Sequence, residues 1–245
     1  MKPIAVSLIS GGMDSSTLAY MVKADGYDLV LLTFDYDQRH RKEIDYSIRI
    51  ARHLEAEHHV IPMPVGQWLK GSSLTDDIPV PHGHYTAESM KATVVPNRNA
   101  IMLTQAYGIA AARKARMVSA AIHAGDHAIY PDCRPEFAIA FEEMQRVALD
   151  SEIYGVRPPR LHVPFVNITK ADIVLIGHSL GVPWEDTWSC YEGGEVHCGR
   201  CGTCCERISA FNEAVIEDPT IYDPAGYEFA VGTLREKGEW GATST

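Results

Sequence analysis

The feature that most constrains this fold is a strand, a glycine turn and a helix in direct succession near the amino terminus. Residues 4–9 are an apolar run of the length typical of a buried strand. After the turn at residues 10–16, apolar residues recur at helical spacing until Gly26. A turn placed in this way aims backbone N–H groups and the positive end of a helix dipole at a docked anion. The sequence therefore predicts an anion site at the start of the first helix.

The composition of this turn, SGGMDSS, indicates phosphate as the anion. Adjacent glycines allow close backbone approach, and three serines supply hydroxyl groups. No Gly-Lys-Ser/Thr follows, so the turn is not a Walker A loop. It resembles the pyrophosphate loop of enzymes that cleave ATP between the α- and β-phosphates. A glycine-rich turn without a ligand is the alternative, which the serines and the aspartate disfavour. The residues predicted to bind ATP are Ser10, Gly11, Gly12, Met13, Asp14, Ser15 and Ser16.

Strand and helix patterns alternate beyond this first unit. Such βα repeats predict a Rossmann-like α/β fold with a mostly parallel open sheet and helices on both faces. Ligands of such folds bind at the carboxyl ends of the strands. We expect further strands at 29–34, 58–61, 117–122 and 161–163, with helices at 44–54, 101–110, 135–148 and 169–181.

Two segments interrupt the alternation. Residues 62–96 are rich in Pro, Gly, Ser and Thr, and are predicted to be a lid or a flexible insert. Prolines and glycines in residues 218–245 predict an irregular tail. The predicted organisation is an α/β domain at 1–184, a zinc-binding loop and helix at 185–217, and this tail.

A cluster of cysteines lies near the carboxyl end. Cys190, Cys198, Cys201 and Cys204 have a spacing that can close a tetrahedral zinc site, which we expect to be structural. An iron–sulfur cluster is the main alternative, because C-x2-C-x2-C also begins iron–sulfur motifs. Cys205 is expected to pack on the following helix. Cys133, distant in sequence, is either a catalytic thiol or a small buried residue.

Composition limits the partners. The chain has 245 residues and a formal net charge of −10, which argues against an extended nucleic-acid surface. No run is long and apolar enough to span a membrane, and a strand pattern starts directly after Met1-Lys2-Pro3. We therefore expect a cytoplasmic protein that acts on small molecules.

Several motifs in one order are similar to those of the 7-cyano-7-deazaguanine synthase family, within the adenine nucleotide alpha-hydrolase-like folds. The similarity extends from the first turn to the cysteines, and leaves out only about the last thirty residues. The matching motifs are SGGMDSS at 10–16, TFDYDQRH at 33–40, VPNRN at 95–99, YPDCR at 130–134, LGVP at 180–183 and SCY at 189–191. Two positions differ: the family usually has glycine in place of Asp37, and aspartate, aromatic, serine, glycine in place of residues 126–129.

The resemblance implies an ATP-dependent ligase that converts 7-carboxy-7-deazaguanine and ammonia into a nitrile through an adenylated acid and an amide. It implies Mg²⁺ beside the phosphates, one structural Zn²⁺ per chain, and a homodimer. By this resemblance, Arg98 and Lys170 stabilise phosphate charge, Asp132 accepts hydrogen bonds from the guanine-like edge, and Arg134 pairs with the substrate carboxylate.

Three other functions stay open at this point. A related enzyme would stop at the amide or act on another deazapurine. A tRNA thiolase would explain the C-x2-C run, although the acidic balance disfavours it. A nucleotide sensor without turnover is a third possibility, which the intact loop disfavours.

Overall fold

The computed structural model describes residues 2–84, 86–126, 130–155 and 157–241. Its centre is a parallel sheet of five strands in the order β3-β2-β1-β4-β5. This order reverses direction between β1 and β4, which creates a crevice at their carboxyl ends. The strands are β1 (Ile4–Leu8), β2 (Asp28–Asp35), β3 (Glu57–Pro62), β4 (Met117–Ser119) and β5 (Arg160–His162).

Helices cover both faces of the sheet, as predicted. Alternate residues of a strand point to opposite faces, so Val6 and Ala5 belong to different cores. Val6 packs with residues of α4, whereas Ala5 packs with residues of α1, α2 and α7. The helices are α1 (Met13–Ala24), α2 (Lys42–His53), α3 (Ala87–Lys91), α4 (Arg98–Ala112), α5 (Pro135–Ala148), α6 (Ser151–Tyr154), α7 (Lys170–Ser179), α8 (Gly202–Glu213) and α9 (Pro224–Lys237).

Local sequence signals explain where two of these helices begin. Thr169 and Asp172 form the predicted capping box at the start of α7. Pro135 occupies the first turn of α5, where its missing N–H costs nothing. β4 is shorter than predicted, because the chain leaves the sheet after Ser119 and residues 120–123 turn into the crevice.

The insert at 62–96 contains one short helix, α3, and is packed against the protein at several points. Ser72, Ser73 and Leu74 are buried, and the Gly83 N–H donates to the carbonyl of Arg200 (2.7 Å). The insert therefore contacts the cysteine region, while its action as a lid stays a prediction.

The prediction of an irregular tail after residue 218 is wrong, because the tail contains α9. Asp223 caps this helix by accepting the Gly226 N–H, Pro224 occupies its first turn, and Gly238 ends it with a left-handed φ of 71°. Ala230, Val231 and Leu234 then pack against Ile208 of α8. The prolines and glycines that suggested irregularity are thus the start and stop signals of a docked helix.

None of the helices in the described part of the chain is long and apolar enough to cross a membrane. Residues 127–129, within the second departure from the family pattern, lie outside the described residues. Asp37, the first departure, has a left-handed φ of 64°. Glycine adopts this conformation freely and aspartate tolerates it better than most residues, which explains the exchange.

Candidate active site

A cavity of about 260 Å³ lies at the carboxyl ends of β1, β2 and β4, where the sheet order reverses. The glycine–serine loop forms one wall, and α4 and α7 contribute a cation each, Arg98 and Lys170. The segment 188–191 and α8 form the side next to the cysteines. The cavity therefore joins the predicted ATP loop to residues that lie far apart in the sequence.

The loop is held in shape by its own hydroxyl groups. The Ser10 N–H donates to Ser15 Oγ (3.1 Å), and the two serine hydroxyls are 3.1 Å apart. Gly12, the N-cap of α1, has no side-chain cap, so the first N–H groups of α1 remain available to an anion. Five of the seven predicted loop residues line the cavity, namely Ser10, Gly12, Met13, Asp14 and Ser15.

The other two loop residues serve the fold. Gly11 has a φ of 86°, and a Cβ there would lie 2.5 Å from the carbonyl oxygen of Glu43 and 2.6 Å from the Ser47 nitrogen. A glycine is thus required at this position because α2 passes close by. Ser16 is fully buried behind the loop.

Four charged or titratable side chains meet beside the loop. Lys170 Nζ donates to Glu206 Oε2 (2.5 Å) and lies 3.9 Å from Asp14 Oδ2. His123 Nε2 approaches the same oxygen at 4.0 Å, while its Nδ1 accepts the Gly125 N–H (3.1 Å). This acceptor role identifies the tautomer that carries hydrogen on Nε2. Asp14 Oδ1 is buried without a hydrogen-bond partner among the described residues, as a carboxylate that binds a cation would be.

The opposite end of the cavity is aromatic. Arg98 Nη1 donates to the Tyr36 hydroxyl (3.0 Å), and its guanidinium lies 5.5 Å from the centre of that ring. Burial raises the pKa of Tyr36 to about 12, so the phenol is neutral at pH 7. Phe34 and Tyr130 line this end as well, and the Tyr130 hydroxyl is fixed by Thr93. These walls suit a flat, apolar ring.

The YPDCR motif contributes different residues from those predicted. Asp132 and Arg134 are not among the described residues that line the cavity, whereas Tyr130 and Cys133 are. Asp132 Oδ2 accepts the Asn99 N–H (3.0 Å) and so caps the start of α4. Arg134 is exposed. Cys133 is buried, and its sulfur accepts a hydrogen bond from Asn99 Nδ2 (3.2 Å).

The four cysteines that the spacing singled out come together in the structure. Their sulfur atoms all lie within 4.8 Å of one another. Thiolates around a tetrahedral zinc ion would be about 3.8 Å apart, given Zn–S bonds of about 2.3 Å. Backbone N–H groups support the sulfurs: Cys198 donates to Cys190 Sγ (3.3 Å), and Cys201 donates to Cys198 Sγ (3.2 Å). The donor set and its spacing therefore fit a metal ion.

Cys205 lies outside this set, as predicted, and packs in the core that α8 shares with α9. Burial raises the pKa of its thiol to about 12, which keeps it protonated. The approach of α9 is close: a Cβ on Gly226 would lie 1.8 Å from the carbonyl oxygen of Cys198. The cysteine loop and the first turn of α9 therefore have backbone-to-backbone contact.

Trp188 connects the cysteine cluster with the glycine–serine loop. Its indole N–H donates to the carbonyl of Cys190 (2.8 Å), and its backbone N–H donates to the carbonyl of Gly11 (2.8 Å). The Lys42 ammonium lies 4.3 Å from the centre of its ring. Trp188 therefore contacts both the cysteine cluster and the glycine–serine loop.

Most of the other residues that line the cavity were not predicted as site residues. Those that matter most to the geometry above include Tyr36, His123, Trp188 and Glu206. His123 follows a short strand, so its place after an apolar run was a usable signal. Glu206 reaches the cavity because α8 packs against α7, and Trp188 because its backbone bonds to Gly11; the sequence reveals neither contact.

Comparisons with known proteins agree with one another. The model of the family described as "Queuosine biosynthesis protein QueC" matches residues 4–215. The chain is 56% identical over 228 residues to the 7-cyano-7-deazaguanine synthase of Paracoccus denitrificans, covering 93% of this chain and 95% of that protein. It is 55% identical over 234 residues to the protein of the same name from Ruegeria pomeroyi, covering 94% and 99%.

A third relative and a solved structure complete the comparison. The 7-cyano-7-deazaguanine synthase of Rhizobium johnstonii is 54% identical over 224 residues and covers 91% of this chain and 92% of its own. The structure of NMN synthetase from Francisella tularensis covers 100% of this chain and 89% of its own, with a TM-score of 0.48 and 15% identity. The sequence relatives, at more than half identity over nearly the whole chain, carry the family assignment.

Proposed function

This chain belongs to the QueC family of queuosine biosynthesis proteins, and from that premise we propose that it makes 7-cyano-7-deazaguanine from 7-carboxy-7-deazaguanine, ammonia and ATP. The observation that carries the proposal is the cavity, because it joins a phosphate-binding loop to an aromatic end that holds an arginine. The first end suits a triphosphate and the second suits a flat heteroaromatic acid.

The proposed chemistry activates the acid by adenylation. A substrate carboxylate oxygen attacks the α-phosphorus of ATP, and pyrophosphate leaves. Ammonia then attacks the acyl carbon, AMP leaves, and the nitrogen loses a proton to give the amide. The amide oxygen attacks a second ATP, pyrophosphate leaves again, and departure of AMP with loss of two N–H protons forms the nitrile.

Each of the two adenylation steps needs the loop to stabilise a leaving pyrophosphate. The free N–H groups at the start of α1 and the hydroxyls of Ser10 and Ser15 supply hydrogen bonds to the β- and γ-phosphates. Lys170 adds positive charge beside them, held in place by Glu206. Asp14 would hold Mg²⁺ through its unpartnered Oδ1, and the ion would offset phosphate charge.

The four cysteines are proposed to hold one structural Zn²⁺. All four ligands come from the protein, and such closed sites stabilise folds instead of activating water. The ion would fix Cys190, and with it Trp188 and the position of Gly11. The same four ligands could instead hold an iron–sulfur cluster. We expect a colourless protein with one zinc per chain, whereas a coloured protein would exclude zinc.

Mass spectrometry of the products tests the function. Purified protein is incubated with ATP, Mg²⁺, ammonia and the deazaguanine acid. The control is the Lys170→Met variant, which lacks the ammonium group beside the ATP loop. We expect the nitrile together with AMP and pyrophosphate. An amide as the end product would support the shorter reaction. AMP formation that requires tRNA would support a thiolase, and ADP formation would reject the adenylation mechanism. Assembly as a homodimer in the cytoplasm, without direct nucleic-acid binding, is part of the same proposal.

A further inference from the structure

We propose that Arg98 binds the carboxylate of the acid substrate and so decides which form of the deazapurine is activated first. The inference rests on the proposed function, because it assigns one end of the same cavity to one group of that substrate. It assigns to Arg98 the carboxylate-binding role that the sequence analysis gave to Arg134. Arg98 is then no longer expected to stabilise the phosphates.

Arg98 has no ion-pair partner in direct contact among the described residues. The hydrogen bond described for its guanidinium goes to Tyr36, whose raised pKa leaves the phenol neutral at pH 7. Within the described part of the chain, no carboxylate lies within 4 Å of the guanidinium. Burial opposes the charge of Arg98 and the negative charge of Asp132 raises its pKa from a distance, but Asp132 Oδ2 accepts the Asn99 N–H and makes no direct contact with the guanidinium among the described contacts. A partly buried cation without a counter-ion is costly unless a ligand supplies the negative charge.

Lys170, the lysine of the cavity wall, is in the opposite situation. Glu206 pairs with its ammonium and Asp14 lies 3.9 Å away. The loop end of the cavity therefore already holds two carboxylates for one lysine. At the aromatic end, no described carboxylate contacts the arginine directly, so Arg98 can accept an anion as a direct partner.

The shape of the donor group indicates a carboxylate. Only Nη1 of Arg98 is engaged, so Nε and Nη2 remain, among the described contacts, as the pair of parallel donors that a carboxylate accepts in bidentate fashion. The surrounding walls come from Phe34, Tyr36 and Tyr130, which offer ring faces and few further donors for a phosphate chain. A flat ring with an attached carboxylate matches both the aromatic walls and the paired donors of Arg98.

The reaction itself supplies the decisive test, because its first substrate is charged and its amide intermediate is neutral. We compare Arg98→Gln with the wild type on the acid and on the synthetic amide, each with ATP. Loss of a bidentate charged contact is expected to lower kcat/KM for the acid about 10- to 100-fold. Conversion of the amide to the nitrile, and the KM for ATP, should change by less than about threefold, since the ordinary hydrogen bond lost there is weak.

Two further variants keep the test interpretable. Arg113→Gln removes an exposed arginine at the other end of α4, where it pairs with Glu57, and should leave both reactions unchanged. Tyr36→Phe keeps the charge of Arg98 but removes the hydroxyl that orients it, so a smaller loss confined to the acid is expected. If Arg98→Gln fails to fold, the Tyr36→Phe variant still tests the inference.

The outcomes separate the inference from the function beneath it. Equal losses on acid and amide, with a raised KM for ATP, would return Arg98 to the phosphates and overturn the inference. A loss on the acid alone in Arg134→Gln, with Arg98→Gln unaffected, would overturn it as well. A wild-type protein that converts neither substrate would reject the proposed function itself.

Discussion

Replacement of Arg207 by methionine should remove the interaction that anchors the segment leading to Trp188. Arg207 lies on α8 and is 0% exposed. Its guanidinium donates to both oxygens of Asp218 (3.0 Å each), to Thr187 Oγ1 (2.6 Å) and to the carbonyl of Trp184 (3.1 Å). One side chain therefore ties α8 to the segment on its way to the cysteine cluster and to the chain before α9.

The expected loss of unfolding free energy is about 3–5 kcal/mol, because the change leaves the Asp218 carboxylate buried without its cation. Asp218 still accepts from the Tyr222 hydroxyl (2.6 Å) and the Thr220 N–H (3.1 Å), which limits the cost to the lower part of that range. The double variant Arg207→Met with Asp218→Asn removes both charges and keeps an acceptor for these two groups. Its loss should be smaller than the sum of the single losses by at least about 2 kcal/mol.

The same interaction makes the stability of the protein depend on pH in a direction that can be predicted. Burial opposes the charged form of Asp218, but Arg207 and the hydrogen bonds to Tyr222 and Thr220 outweigh it and lower the pKa of the carboxyl. A carboxyl with a lowered pKa in the folded state contributes stability that is present above its ordinary pKa of 3.8 and is lost as the pH falls through the folded value. In Arg207→Met, the part of this acid dependence that is due to the pair should disappear.

Urea denaturation of the wild type, both single variants and the double variant measures these quantities, with ATP binding by calorimetry as a second readout. Because Arg207 holds Thr187 next to Trp188, and Trp188 holds Gly11, ATP affinity should fall together with stability. A loss below about 1 kcal/mol in Arg207→Met, or strictly additive single losses, would refute the reasoning, since surface ion pairs behave in that way.

Three further predictions concern single positions. Gly226→Ala should cost about 2–3 kcal/mol, because the added methyl would overlap the Cys198 carbonyl, and metal release by chelator should become faster; unchanged release and stability would contradict the contact. Asp37→Ala should lose about 1 kcal/mol in thermal unfolding because its φ is left-handed, whereas Asp37→Gly should stay close to the wild type; equal effects would argue against a left-handed turn. His123→Gln should keep most of kcat/KM because its amide N–H replaces Nε2–H, whereas His123→Asn mimics only Nδ1 and should lose about 10-fold; the reverse order would show that the wrong tautomer has been assigned.

Local signals in the sequence were sufficient for the parts of this protein that are contiguous in the chain. The glycine–serine loop, the capping box of α7 and the four cysteines depend on residues within a few turns of one another, so spacing alone predicts them. The alternation of strands and helices likewise predicts the parallel sheet. The tail shows the limit of such signals, because the same prolines and glycines mark either loops or the ends of helices.

The sequence by itself determined which chemical groups this protein has: a glycine–serine loop, a cluster of four cysteines and an α/β frame to carry them. Only the tertiary structure decided which charged residues face one another. Arg98 donates to a neutral phenol while Lys170 pairs with Glu206, and Asp132 caps a helix instead of lining the cavity. The physical reason is that compensation of a charge depends on distances of a few ångströms between distant segments, and the packing of helices on the sheet sets those distances.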